Sequence, residues 1–152
     1  MPVQGATKNS YNQNAYWYYP WGKSVTHKGV DIFAKEGTAI HPATSGLVIY
    51  TGQIAMGGNV VFILGPKWRF HYYAHVNEIK TSTLRFVSKK SIIATVGATG
   101  NAKGKSPHLH YSIMTLFPYF WLADKSVQGW KKMFYLNPIT YLNDALNNTS
   151  AQ

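Results

Sequence analysis

The chain has no cysteine. That excludes disulfides, thiolate zinc sites and a cysteine nucleophile, and it leaves the cellular compartment open. Carboxylates are almost as scarce: 5 Asp and Glu stand against 15 Lys and Arg, a formal net charge of +10. Each acid is therefore conspicuous, Asp31 among them. No stretch approaches the roughly 18 apolar residues of a membrane span. The best run, "IMTLFPYFWLA", is short and carries Pro118. The opening "MPVQGATKNS" has no basic region followed by an apolar one, so no signal peptide is expected. A start at such a domain-like edge is what a piece separated from its export or anchoring segment would show.

A length of 152 residues, 45% of them hydrophobic, suits one folded domain with a real core. Most of the signal is strand and turn. "GVDIFA", "LVIYTG", "NVVFILG", "RFHYYAHV", "SIIATVG" and "HLHYSIM" are short β-branched or aromatic runs separated by Gly, Pro and Ser. Gly65 with Pro66 reads as a hairpin turn. Only the end reads as helix, with Asn137 as N-cap, Pro138 in the first helical position, and Ile139, Leu142 and Leu146 at helical spacing. The expectation is a compact, mostly antiparallel β domain closed by a short C-terminal helix.

Two short stretches carry chemistry. In "SPHLHYSI", strand alternation puts His108 and His110 on one face and Leu109 in the core. In "HKGVD", His27 and Asp31 lie four apart, a spacing that fits one face of a helix or of a strand; Gly29, Val30 and Ile32 favour strand. His27, Gly29 and Asp31 would then share a face, the glycine leaving room for an ion. Imidazole and carboxylate are ordinary zinc ligands. Alone, each stretch reads as well as a turn histidine, a lysine-paired aspartate or a chance pair.

Together the stretches resemble the lysostaphin-type (LytM-like) zinc endopeptidases, which cut the peptide part of bacterial peptidoglycan. "HKGVDIFAKEGTAIHPATSGLVIYTG", "GGNVVFI", "YYAHV", "VGATGNAKGKSPHLHYSI" and "NPITYL" follow in the family's order. The resemblance implies a duplicated-hybrid-motif-like β fold and one zinc ion held by His27, Asp31 and His110. It casts His108, and the His75 of Tyr73-x-His75, as catalytic. Ligation by His108 as well would close the tetrahedron, whereas a hydrolase needs an open position. A tyrosine upstream of the first metal histidine is expected to steady the oxyanion, and "YWYYPWG" offers Tyr18 and Tyr19. The resemblance also implies peptidoglycan as substrate and an extracytoplasmic place of action in the envelope or outside the cell. A non-catalytic wall-binding or regulatory module on the same fold is the alternative. The whole chain, 1–152, is expected to be a single peptidase domain. Residues 1–22 form an aromatic-rich N-terminal segment, and 115–136 are an insertion before the closing helix.

The remaining signals are weaker. "TGNAKGKSP" approaches a phosphate-binding loop, but Thr99 replaces its first glycine, and a strand follows where the motif needs a helix. The basic charge favours anionic partners, whether nucleic acid, acidic lipid surface or anionic wall polymer. Nucleic acid is rejected because no helix-turn-helix or RNA-binding signature accompanies the charge. Contact with a wall polymer or a membrane surface stays open. His41 precedes a proline in a turn and carries no expected role. His71 is expected to be a groove-lining or surface residue that shares strand parity with Tyr73 and His75.

Overall fold

A computed structural model describes residues 1–149. The short apolar runs become strands: β1 (Val30–Phe33), β2 (Ala39–Ile40), β3 (Gly46–Ile54), β4 (Gly58–Gly65), β5 (Arg69–Val76), β6 (Phe86–Val87), β7 (Ala94–Thr95), β8 (His108–Thr115) and β9 (Tyr135–Leu136). Helix α1 spans Pro138–Thr149. The main sheet has the order β1-β8-β5-β4-β3-β6, with β9 extending the β1 edge along the far half of β8. β2 and β7 form a separate antiparallel pair. No helix among the described residues is long and apolar enough to cross a membrane.

The alternation read from "HLHYSIMT" sorts the two faces of the sheet. Leu109, Tyr111 and Ile113 are at most 2% exposed and join Val30, Ile32, Val61 and Ile63 in one core. These β-branched and aromatic residues fit a pleated, buried surface. His108, His110 and Ser112 take the opposite face. The helix forms as expected: Asn137 Oδ1 accepts the Ile139 N–H at 3.0 Å, and Ile139 and Leu142 bury against the core while Leu146 is half-buried. Gly65 and Pro66 do open the tight turn between β4 and β5.

Two local expectations are corrected. β1 starts only at Val30, so His27 lies in the loop before it and does not share a strand face with Asp31. Strand parity also fails along β5. Tyr73 pairs with Val61 but Val76 pairs with Asn59, so Ala74 and His75 together oppose Val60 in a bulge. His75 takes φ +62°, an uncommon conformation for a non-glycine residue. The bulge sends His75 to the face of His110, whereas His71 and Tyr73 stay on the core side. His71 thus lies outside the cleft and off the surface: it is 7% exposed, lines a second hollow with Tyr111 and Tyr141, and has Nδ1 2.7 Å from the Tyr111 hydroxyl.

Burial, aided by the nearby Arg69 charge, lowers the His71 pKa to about 4. Between that value and the ordinary histidine pKa of about 6.5, the unfolded chain holds the proton more readily than the folded one. The stability tied to neutral His71 is therefore complete above about pH 6.5. It is lost as pH falls towards 4, by up to about 3 kcal/mol. Urea midpoints measured from pH 7 to 4.5 should fall more steeply for the wild type than for His71→Gln. Equal slopes would show that this residue does not titrate on unfolding.

Candidate metal centre and active cleft

Three ligand-type atoms converge at one end of the sheet. His27 Nε2 lies 3.2 Å from both Asp31 Oδ1 and His110 Nδ1, and His110 Nδ1 lies 2.8 Å from Asp31 Oδ1. The β1–β8 register sets Asp31 directly opposite His110. His27 arrives from the preceding loop, whose backbone pairs with the N-terminal segment through Trp17 N–H to His27 O at 2.7 Å and His27 N–H to Tyr18 O at 2.9 Å. Gly29 is needed for close approach, not to leave room for an ion. A Cβ there would lie 2.5 Å from Tyr111 O and 2.9 Å from His110 Cε1.

Hydrogen bonds on the outer sides of the rings decide where the imidazole protons sit. His27 Nδ1 is 2.9 Å from Ala15 O, a carbonyl that can only accept, so Nδ1 carries the proton and Nε2 is a lone pair. The Ser112 hydroxyl donates to Lys28 O and so accepts from His110 Nε2–H, leaving His110 Nδ1 a lone pair as well. Two imidazole lone pairs and a carboxylate oxygen thus face one another with no proton assigned between them. That is the donor set of a cation site, and its outer hydrogen bonds are those that fix metal-bound histidines. Burial acts to raise the Asp31 pKa; positive charge at the facing His110 and His27 nitrogens, from protons or from a cation, outweighs it and holds the carboxyl well below its ordinary range. Burial lowers His110 in spite of the opposing pull of Asp31.

The centre opens onto a cleft of about 150 Å³ that His75 and His108 also line. Their rings are 5.1 Å apart, and the His75 ring is 6.0 Å from that of His110. Each gives its Nδ1 proton to a carbonyl, His75 to Thr99 O at 3.0 Å and His108 to Ser106 O at 2.8 Å, which leaves both Nε2 atoms as lone pairs. Burial first, then the His110 and His108 charges, lower the His75 pKa to about 4. Thr99 is a support that sequence reading missed. It also accepts the Asn59 N–H and donates to Val76 O, so it ties down both sides of the bulge. Bonds worth about 1 kcal/mol each offset the roughly 1–3 kcal/mol of a strained backbone residue.

The aromatic segment contributes differently from expectation. Neither Tyr18 nor Tyr19 lines the cleft, and both are more than half exposed. Trp21 does line it, stacked on His27 at 4.2 Å between ring centroids, and Tyr18 meets Trp21 edge-on. The facing wall carries Tyr72, whose hydroxyl rests against Gly57 and whose pKa burial raises to about 12. Residues 115–136 brace the loop that carries His27. Gln128 Oε1 accepts from Thr26 Oγ1 and Lys28 Nζ, and Trp17 Nε1 donates to Val127 O. No motif announced Thr99, Trp21, Tyr72 or Gln128, because each depends on a neighbour distant in sequence.

A main antiparallel sheet with a separate two-stranded pair and one short C-terminal helix is the fold of lysostaphin-type peptidase catalytic domains. The catalytic domain of lysostaphin from Staphylococcus simulans superposes with a TM-score of 0.70 at 25% identity, covering 89% of this chain and 94% of that one. The chain belongs to Peptidase family M23, whose sequence pattern matches residues 25–126. It is similar to the peptidoglycan DD-endopeptidase ShyA of Vibrio cholerae, 30% identical over 114 residues, or 74% of this chain and 26% of that protein. It is also similar to a structure described as a zinc containing peptidase from Vibrio cholerae, with a TM-score of 0.61 at 26% identity, covering 74% of this chain and 35% of that one. The chain spans about a quarter or less of the length of the curated relatives it matches.

The donor set makes a direct prediction for metal titration, with zinc as the probe. The chain should bind one ion. His110→Ala should abolish binding, whereas His108→Ala should keep it. Ser112→Ala should weaken affinity by about 10–100-fold, because it frees the His110 tautomer. Equal loss of metal in the His108 and His110 variants at saturating zinc would contradict the division drawn between them.

Proposed function

We propose that this M23 peptidase domain is a zinc-dependent endopeptidase that hydrolyses peptide bonds in the stem peptides or cross-links of bacterial peptidoglycan. It would act outside the cytoplasm, in the envelope or beyond it, and residues 1–152 would form one catalytic unit. The observation that carries the reading is the convergence of three proton-free donors beside two imidazoles with free Nε2 lone pairs in one cleft. Relatives named as peptidoglycan endopeptidases support the substrate class.

His27, Asp31 and His110 would hold the ion. Zinc held there supplies a water of pKa about 7 and polarises the scissile carbonyl. The Nε2 atoms of His75 and His108 face the same space. One accepts the proton of the attacking water, and the pair returns a proton to the leaving amine. Their Nδ1–H bonds to backbone carbonyls keep both rings in the tautomer this requires.

Release of peptide fragments from purified peptidoglycan tests the assignment. His75→Ala and His108→Ala should each reduce turnover by about 10²–10⁴-fold with metal retained. The double variant should be only slightly worse than either single, since both act on one proton path. His71→Ala should lose stability more than turnover. A metal-loaded wild type that binds peptidoglycan without cutting it would assign the chain instead to a non-catalytic wall-binding role.

A further inference from the structure

At the end of the sheet away from the cleft, large apolar side chains stand in solvent. Trp68 is 59% exposed, Phe86 70%, Leu116 51% and Phe117 59%. The topology brings them together from three separate segments. Leu116 N–H donates to Trp68 O at 3.2 Å, and Trp68 and Phe86 line one shallow hollow with Leu47 and Leu64. Leu84, 78% exposed, is tied to the same region by its N–H bond to Val48 O.

Backbone strain marks this end independently. Among the described residues, seven non-glycine residues have positive φ. Four surround the candidate site: Trp17, Val25, His75 and Gln128. The other three are Lys67, Trp68 and Leu84, in the turns that hold apolar side chains out at the far end. Bulky residues adopt this conformation only where the surroundings enforce it, and such outliers cluster where function needs them.

Charge selects the partner. No Asp or Glu occurs between Glu36 and Glu78 or between Glu78 and Asp124, the stretches that carry these side chains, although Asp144 lies on α1, which packs beside Lys67 and Arg69. Lys67 borders the hollow, and Arg85, Lys89 and Lys90 flank Phe86 in the chain. Protruding Trp, Phe and Leu with a basic fringe, and no acid in the chain segments that carry them, match the headgroup layer of an anionic bilayer. There amphipathic aromatics sit at the interface while Lys and Arg meet lipid phosphates.

We propose that the Trp68–Phe86–Leu116–Phe117 end docks the domain on an anionic lipid membrane surface. Seven positions separate Trp68 from His75 and six separate His110 from Leu116, roughly 20 Å at about 3.3 Å per strand residue. Strands β5 and β8 thus hold the cleft clear of the bilayer, at the opposite end of the sheet from the lipid. The inference does not depend on the peptidase reading.

Co-sedimentation with vesicles tests it, using equal parts phosphatidylglycerol and phosphatidylethanolamine against pure phosphatidylcholine. The metal-loaded chain should bind the anionic vesicles and not the neutral ones. Trp68→Ser combined with Phe117→Ser should weaken that binding by at least about tenfold, the apolar share of a two-signal anchor, while zinc content stays unchanged. Added salt should weaken binding of the wild type without abolishing it, because buried apolar contacts are not screened. Absence of binding to anionic vesicles would overturn the proposal. So would equal binding by wild type and double variant, which would reduce the effect to adsorption of a +10 chain. Self-association lost in the double variant, without vesicle binding, would assign the patch to a second copy and overturn it too.

Discussion

Three hydrogen-bond acceptors held within 2.8–3.2 Å of one another, with no proton assigned between them, are the constraint on which the site depends. Left alone, two imidazole lone pairs and a carboxylate oxygen repel. Their approach therefore has to be enforced from outside, and each enforcement is visible. Ala15 O and Ser112 Oγ occupy the outer nitrogens of the two rings, the β1–β8 register fixes Asp31 against His110, and Trp21 stacks on His27. A bound cation converts the repulsion into attraction, which couples metal binding to the order of the loop before β1.

The same economy governs the two histidines that line the cleft beside the centre. A regular β5 would send His75 to the core face with His71 and Tyr73. One extra residue in the strand, pinned by Thr99, turns His75 towards His108. Because β5 and β8 are adjacent strands, the two rings are set by sheet geometry and not by a loop, which favours precise placement. Among the described residues, non-glycine positions with positive φ fall in the loops and the bulge around the cleft and in the turns at the far end.

Scarcity of acid also shapes the molecule. Asp124 pairs with Lys132, Glu78 pairs with Lys80, and Asp31 belongs to the centre. Most of the positive charge is thus uncompensated and spread over the surface. A basic surface concentrates anionic material around the domain at low ionic strength without altering the fold.

Composition and local pattern determined a good deal. The alternation of "HLHYSI" placed His108 and His110 on one face, the Asn-Pro start and helical spacing placed α1, and Gly65–Pro66 placed a turn, because all of these are governed by neighbours a few residues apart. The resemblance of "HKGVD", "YYAHV" and "SPHLHYSI" to one family supplied the candidate ligands. Only the tertiary structure decided which strand mates which. It put His27 in a loop clamped by Ala15 and Gln128, and it broke the parity of β5 at His75. It also buried His71 against Tyr111, and it gave Trp21 and Tyr72 the cleft walls in place of Tyr18 and Tyr19. Most of these outcomes rest on contacts between residues far apart in the chain, and a bulge or an outer hydrogen bond leaves no periodic trace in the sequence that makes it.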